Sequence, residues 1–92
     1  MKAIRWDRRK NALLKRQRGV SFEEVELAIE RGNLLDVLEH PKKNRYPNQR
    51  IFVVRIMDYA YLVPFVESEE EIFLKTIIPN REATNRYLSE DI

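Results

Sequence analysis

Gly19-Val20-Ser21-Phe22-Glu23-Glu24-Val25-Glu26-Leu27-Ala28-Ile29-Glu30-Arg31-Gly32 is the stretch from which the fold is read. Ser21 and Glu24 have the spacing of a capping box, in which the serine oxygen takes the Glu24 amide and the carboxylate reaches back to the Ser21 amide. Val20 and Val25 stand where a hydrophobic staple puts its two members. Phe22, Val25, Ala28 and Ile29 then recur at helical spacing, and Gly32 supplies the left-handed residue that ends a helix. A short amphipathic helix therefore needs a sheet or a second helix to cover its apolar stripe.

Both flanks supply such partners. Upstream, residues 3–6 read as a short strand, and Asp7 is a good N-cap for a helix running to about Gln17 and stopped by Gly19. That first helix offers only Ala12, Leu13 and Leu14 as apolar residues, so most of its circumference is expected to be wet. Downstream, residues 34–38 suit a short strand, and residues 40–49, rich in proline, asparagine and charge, suit an exposed loop. Residues 51–56 and 60–66 read as strands joined by a tight turn near Asp58. Pro64 has no amide to donate, which predicts an edge position or a bulge. Residues 71–78 are apolar on both faces apart from Lys75 and Thr76, as a central strand would be. A final helix is expected over 81–89, capped by Asn80. The order β-α-α-β-β-β-β-α with antiparallel neighbours gives a single α+β domain over 1–92, a twisted, mainly antiparallel sheet with its helices on one face.

Composition narrows the chemistry. Of 92 residues, 43% are hydrophobic and 35% charged, which suits a folded domain. A chain of this size buries only somewhat more than about 60% of its unfolded surface, so a partner that covers apolar area would matter. The chain has no cysteine and one histidine, His40, which excludes thiolate chemistry, disulfides and a multi-histidine metal site. It contains two glycines, which leaves no phosphate-binding glycine loop. The start, Met1-Lys2-Ala3-Ile4-Arg5-Trp6, has no apolar core of a secretion signal, and no apolar run is long enough to cross a bilayer. A cytoplasmic location and no membrane partner are expected.

The net charge of +2 hides a segregated pattern. Residues 1–18 hold eight Lys or Arg against Asp7 alone, whereas residues 19–39 hold six acids against Arg31. Lys42, Lys43, Arg45 and Arg50 form a second basic cluster, followed by the acidic run Glu67-Ser68-Glu69-Glu70-Glu71. Such segregation points to a polyanion on one surface, or to solvated helix faces and loops.

Two stretches carry a family resemblance. Trp6-Asp7-Arg8-Arg9-Lys10-Asn11, followed by Gly19-Val20-Ser21-Phe22-Glu23-Glu24, resembles the opening of the BrnT family, in which "WDxxKN" leads through a basic helix into "GVSFEE". Ile77-Ile78-Pro79-Asn80-Arg81-Glu82-Ala83-Thr84 is similar to that family's "IISARxAT". The family comprises toxins of bacterial type II toxin–antitoxin systems with a RelE-like fold. The resemblance implies an endoribonuclease that arrests translation and needs no cofactor. It also implies neutralisation by a small cognate antitoxin, typically with a ribbon-helix-helix DNA-binding region, and joint repression of their operon; a homodimer or a toxin–antitoxin heterotetramer is the expected assembly. This chain has Arg18 where the family often has histidine, Lys75-Thr76 where it has an arginine, and Phe65-Val66-Glu67-Ser68 where it has polar and basic residues.

RNA is cut without metal when its 2′-hydroxyl attacks the adjacent phosphorus. The protein must take that proton, stabilise the phosphorane and protonate the leaving oxygen. Arg81, at the mouth of the last helix, is the first candidate for transition-state charge; otherwise it is a solvated helix arginine. Lys75 projects from an apolar strand, and Arg50 opens one beside the basic loop, where it suits a phosphate clamp. Tyr61 is a candidate for base stacking or proton donation, or for packing. Glu67 is the candidate base. Tyr46 and Tyr87 are lesser stacking candidates, and His40 has a suitable side chain in a proline-bounded loop. Arg8, Arg9, Lys15, Arg18, Lys42, Lys43, Arg45 and Tyr46 are candidates for RNA backbone contact. The basic first helix equally suits an acidic antitoxin segment. The alternative function is a non-catalytic RNA- or partner-binding module that acts with a DNA-binding partner in repression.

Overall fold

A computed structural model describes residues 2–89; Met1 and residues 90–92 lie outside it. The elements are β1 (Ala3–Trp6), α1 (Arg8–Arg18), α2 (Phe22–Glu30), β2 (Leu34–Glu39), β3 (Gln49–Ile56), β4 (Tyr59–Glu67), β5 (Glu71–Leu74), β6 (Ile78–Pro79) and α3 (Arg81–Leu88). The fold is α+β, with three helices on a six-stranded sheet ordered β1-β5-β4-β3-β2, and β6 paired to β4.

The helix ends form as their residues dictate. Asp7 accepts the Arg9 amide at 2.8 Å and starts α1, which Gly19 ends at φ 67°. Ser21 and Glu24 close the capping box, with the Glu24 amide 3.2 Å from Ser21 Oγ and the Ser21 amide 2.9 Å from Glu24 Oε1. At the other end of α2, Gly32 takes φ 82° and the Asn33 amide returns to the Ala28 carbonyl at 2.8 Å, which is a Schellman closure.

The main core lies between α1–α2 and one sheet face. Leu14, Val20, Phe22, Val25 and Ala28 pack there against Phe52, Val54, Ile56, Val63, Phe65, Leu74 and Ile77. Successive strand residues alternate faces, so Val53, Ala60 and Leu62 point the other way, where they meet Ala83, Tyr87 and Leu88 of α3. The last helix therefore covers the opposite face, in contrast to the expectation of helices on one face. Thr84 Oγ1 accepts the Ala60 amide at 2.9 Å, and Tyr87 donates to Asp36 Oδ2 at 2.5 Å, which latches α3 to β4 and β2.

The sheet is mainly antiparallel, as expected, with one parallel pair at its edge. β2 to β5 form an antiparallel meander, but β1 joins β5 in parallel, with Ala3 opposite Glu71 and Trp6 opposite Leu74. The crossover through both helices makes that parallel pairing reachable. The expected strand over 71–78 is interrupted: β5 ends at Leu74, and the chain rejoins β4 only at Ile78. Pro64 explains the gap. Its strand is interior rather than at an edge, paired with Ile51 of β3 on one side. On the other side its carbonyl accepts the Lys75 amide at 2.8 Å, so its missing N–H falls at the break between β5 and β6.

Candidate functional site

Arg50, Glu67 and Lys2 meet at one end of the sheet. Arg50 is the second residue of β3 and stands opposite Phe65, Glu67 closes β4, and Lys2 precedes β1. All three project to the α1–α2 side of the sheet, by alternation with Phe52, Phe65 and Ile4. The Glu67 carboxylate is held from both sides: Lys2 Nζ lies 2.6 Å from Oε2 and Arg50 Nη2 lies 2.6 Å from Oε1. The Arg50 guanidinium also lies 5.4 Å from the Phe65 ring centre. The hydrogen bonds from Lys2 and then Arg50 hold the Glu67 carboxyl below the usual carboxylate range. Glu67 is thus an orienting anion for Arg50 and a weak proton acceptor.

Two adjoining clefts share Arg50 as a wall. One, of about 460 Å³, is lined by Lys2, Pro47, Asn48, Arg50, Glu67, Ser68 and Glu69. The other, of about 230 Å³, lies between Arg50 and the loop residues Lys43, Asn44 and Pro47. The loop over residues 40–48 is held by local turns, with the Lys42 carbonyl accepting the Arg45 and Tyr46 amides at 2.9 and 3.0 Å. His40 Nδ1 accepts the Lys42 amide at 2.9 Å, and the His40 and Tyr46 rings lie 4.7 Å apart. Lys42, Lys43 and Arg45 are exposed, with Lys43 3.1 Å from Glu39.

The other candidates lie elsewhere. Arg81 is the first residue of α3 and exposed; the Asn80 amide bonds the Ala60 carbonyl, so Arg81 sits near the β3–β4 turn. Ala60 pairs with Arg55, five register positions from Arg50, which is about 17 Å along the strand. Tyr61 is at the same end as Arg81, half-buried against the main core and edge-on to Tyr59 at 5.8 Å. Lys75 is exposed and lies 5.8 Å from the centre of the Phe73 ring, on the sheet face opposite Glu67. Arg18 donates to the Ile77 carbonyl at 2.5 Å and so ties α1 to the β5–β6 connection. Arg8, Arg9 and Lys15 lie exposed along α1. Tyr87 is committed to Asp36, which raises its pKa and lowers that of Asp36.

Lys2 was absent from the sequence candidates. Its signal is register alone: it is one step before β1, on the Ile4 side of a strand whose partner, β5, neighbours β4. Asn11 was likewise missed. It is buried, with Oδ1 accepting the Phe22 amide at 2.8 Å and Nδ2 donating to Glu23 Oε1 at 2.7 Å. Among the described residues there is no cluster of three or more His, Cys, Asp or Glu able to hold a metal ion. Comparison with family profiles, with curated proteins and with solved structures returns no match.

Proposed function

We propose that this chain is an RNA-directed toxin of the BrnT type with a RelE-like fold, a metal-independent endoribonuclease neutralised by a small antitoxin. The reading is supported by the antiparallel β2–β5 meander behind two N-terminal helices, and by the two paired sequence stretches in their expected order. The observation that carries it is Arg50, a fixed guanidinium shared by two clefts beside a basic loop. In this account Arg50 holds two phosphate oxygens and neutralises the phosphorane, Lys2 adds charge, and Glu67 keeps Arg50 oriented. The RNA supplies its own nucleophile: the 2′-hydroxyl gives its proton to solvent as its oxygen bonds the phosphorus, and the 5′-oxygen leaves with a proton from water. An antitoxin, with a ribbon-helix-helix region in this reading, represses activity by covering basic surface. The cytoplasm is the compartment where such substrates are met.

A second reading is favoured by one observation. The candidate groups Arg50, Lys75 and Arg81 occupy three separate places, and the Glu67 carboxylate is already engaged by two cations. A non-catalytic RNA-binding module would tolerate that dispersion. Incubation of the purified chain with RNA and analysis of the ends separates the two. The ribonuclease leaves 2′,3′-cyclic phosphate ends, and Arg50→Ala abolishes them; binding without new ends supports the module.

A further inference from the structure

Ala12 is exposed on α1, diametrically across the helix from the buried Leu14. Two residues apart on a helix is a rotation of about 200°, so the wettest line of α1 runs through Ala12. Along that line four cations surround the methyl group: Arg8 and Arg9 one turn before, Lys15 and Arg16 one turn after. Positions three and four apart are neighbours on a helix surface, so each side chain borders Ala12. At about 1.5 Å rise per residue the two pairs stand roughly 9 to 12 Å apart along the axis.

The patch is left without counter-charge. Asp7, the one acid in this part of the chain, spends its carboxylate on the Arg9 amide. Arg8, Arg9 and Arg16 have no ion pair among the described residues, and Lys15 reaches Glu23 only at 3.7 Å, with both side chains over half exposed. Four like charges at such spacing repel one another and weaken the helix, a cost that a polyanion removes. A small side chain at their centre lets a backbone of phosphates approach the helix closely.

We infer that the Ala12-centred face of α1 is a docking surface for the phosphodiester backbone of RNA, separate from the Arg50 clefts. The inference rests on the RNA-directed reading and not on catalysis. Arg18 is outside this face, since its guanidinium is held by the Ile77 carbonyl.

The test uses the full chain and a hairpin of 2′-O-methyl RNA, which lacks the nucleophile and is bound without being cut. Affinity is measured across a salt series. Ala12→Glu is expected to weaken binding at least tenfold and Ala12→Lys to tighten it, while both keep a good helix former at an exposed site. Replacing Arg8, Arg9 and Arg16 by Gln should flatten the slope of log affinity against log salt by about 2 to 3 units. Arg50→Ala should change that slope by no more than about one unit. Equal affinity and slope for all these variants would overturn the inference, as would no binding of the hairpin by the original chain. Binding of a polyglutamate peptide in place of RNA, lost in the same variants, would overturn it too and assign the face to an acidic protein segment. Cleavage of ordinary RNA with hairpin binding indifferent to α1 would sink the docking face alone. Binding that depends on α1, without cleavage, would sink the ribonuclease alone.

Discussion

Asn11 explains why the two N-terminal stretches occur together. Its side chain satisfies the Phe22 amide, one of the open donors at the start of α2, and draws in Glu23 from the same turn. Trp6 stacks on Phe22 with ring centres 5.8 Å apart, so strand, first helix and second helix are clasped at one point. Asn11→Ala leaves a buried amide without a partner and should cost about 2–3 kcal/mol. For a domain of this size that lowers Tm by roughly 10 °C or more, measurable by thermal denaturation followed by circular dichroism. Met57 presents the reverse case. It takes φ 58° in the β3–β4 turn, is 86% exposed, and is the one non-glycine residue at positive φ among those described. Glycine adopts that conformation without steric cost, so Met57→Gly should raise stability by about 0.5–1 kcal/mol in the same assay. An unchanged or lower Tm would show that the turn gains nothing from glycine.

At the scale of elements, what was legible in the sequence is what local chemistry determines. The cap residues Asp7, Ser21, Asn80 and Gly32 announced the helix ends because their partners lie within a few positions. The meander strands were legible through alternation and a tight turn. The parallel β1–β5 pairing and the position of α3 were not, since both depend on contacts between residues far apart in the chain. Pro64 was ambiguous for the same reason: the missing donor was visible, but the broken strand that accommodates it was not. The motif residues that carried the resemblance are largely scaffold in the structure. Asp7, Asn11, Ser21, Glu24, Asn80 and Thr84 cap or clasp elements, so they speak to fold more than to chemistry. Two of the three residues of the candidate site, Arg50 and Glu67, are legible in the sequence, whereas Lys2 enters only once β1 is seated beside β5.

The charge cluster at that end also governs the molecule's response to pH. The Glu67 carboxyl titrates below its ordinary value because Lys2 and Arg50 favour its ionised form. A group whose folded pKa is depressed stabilises the fold above its unfolded pKa, and that contribution disappears as pH falls through the folded value. Glu67→Gln should therefore lower Tm at pH 7, and the difference from the original chain should shrink as pH falls below the ordinary carboxylate range and vanish only below the lowered folded value. A difference that persists in acid would mean that Glu67 acts through packing. At this scale the chain is a thin-cored sheet with cations gathered on α1, on the loop over residues 40–48 and at Arg50. Under the proposed function, these cations are the surface that a ligand of many phosphates would meet.

The most direct test of the central claim is RNA integrity and growth after inducing the original chain alone in a bacterial host, beside Arg50→Ala and Arg81→Ala at matched soluble expression. The account predicts arrest with fragmented RNA from the original chain and intact RNA with normal growth from Arg50→Ala. Normal growth and intact RNA from the original chain would contradict it, and fragmentation lost only in Arg81→Ala would move the site to the far end of the sheet.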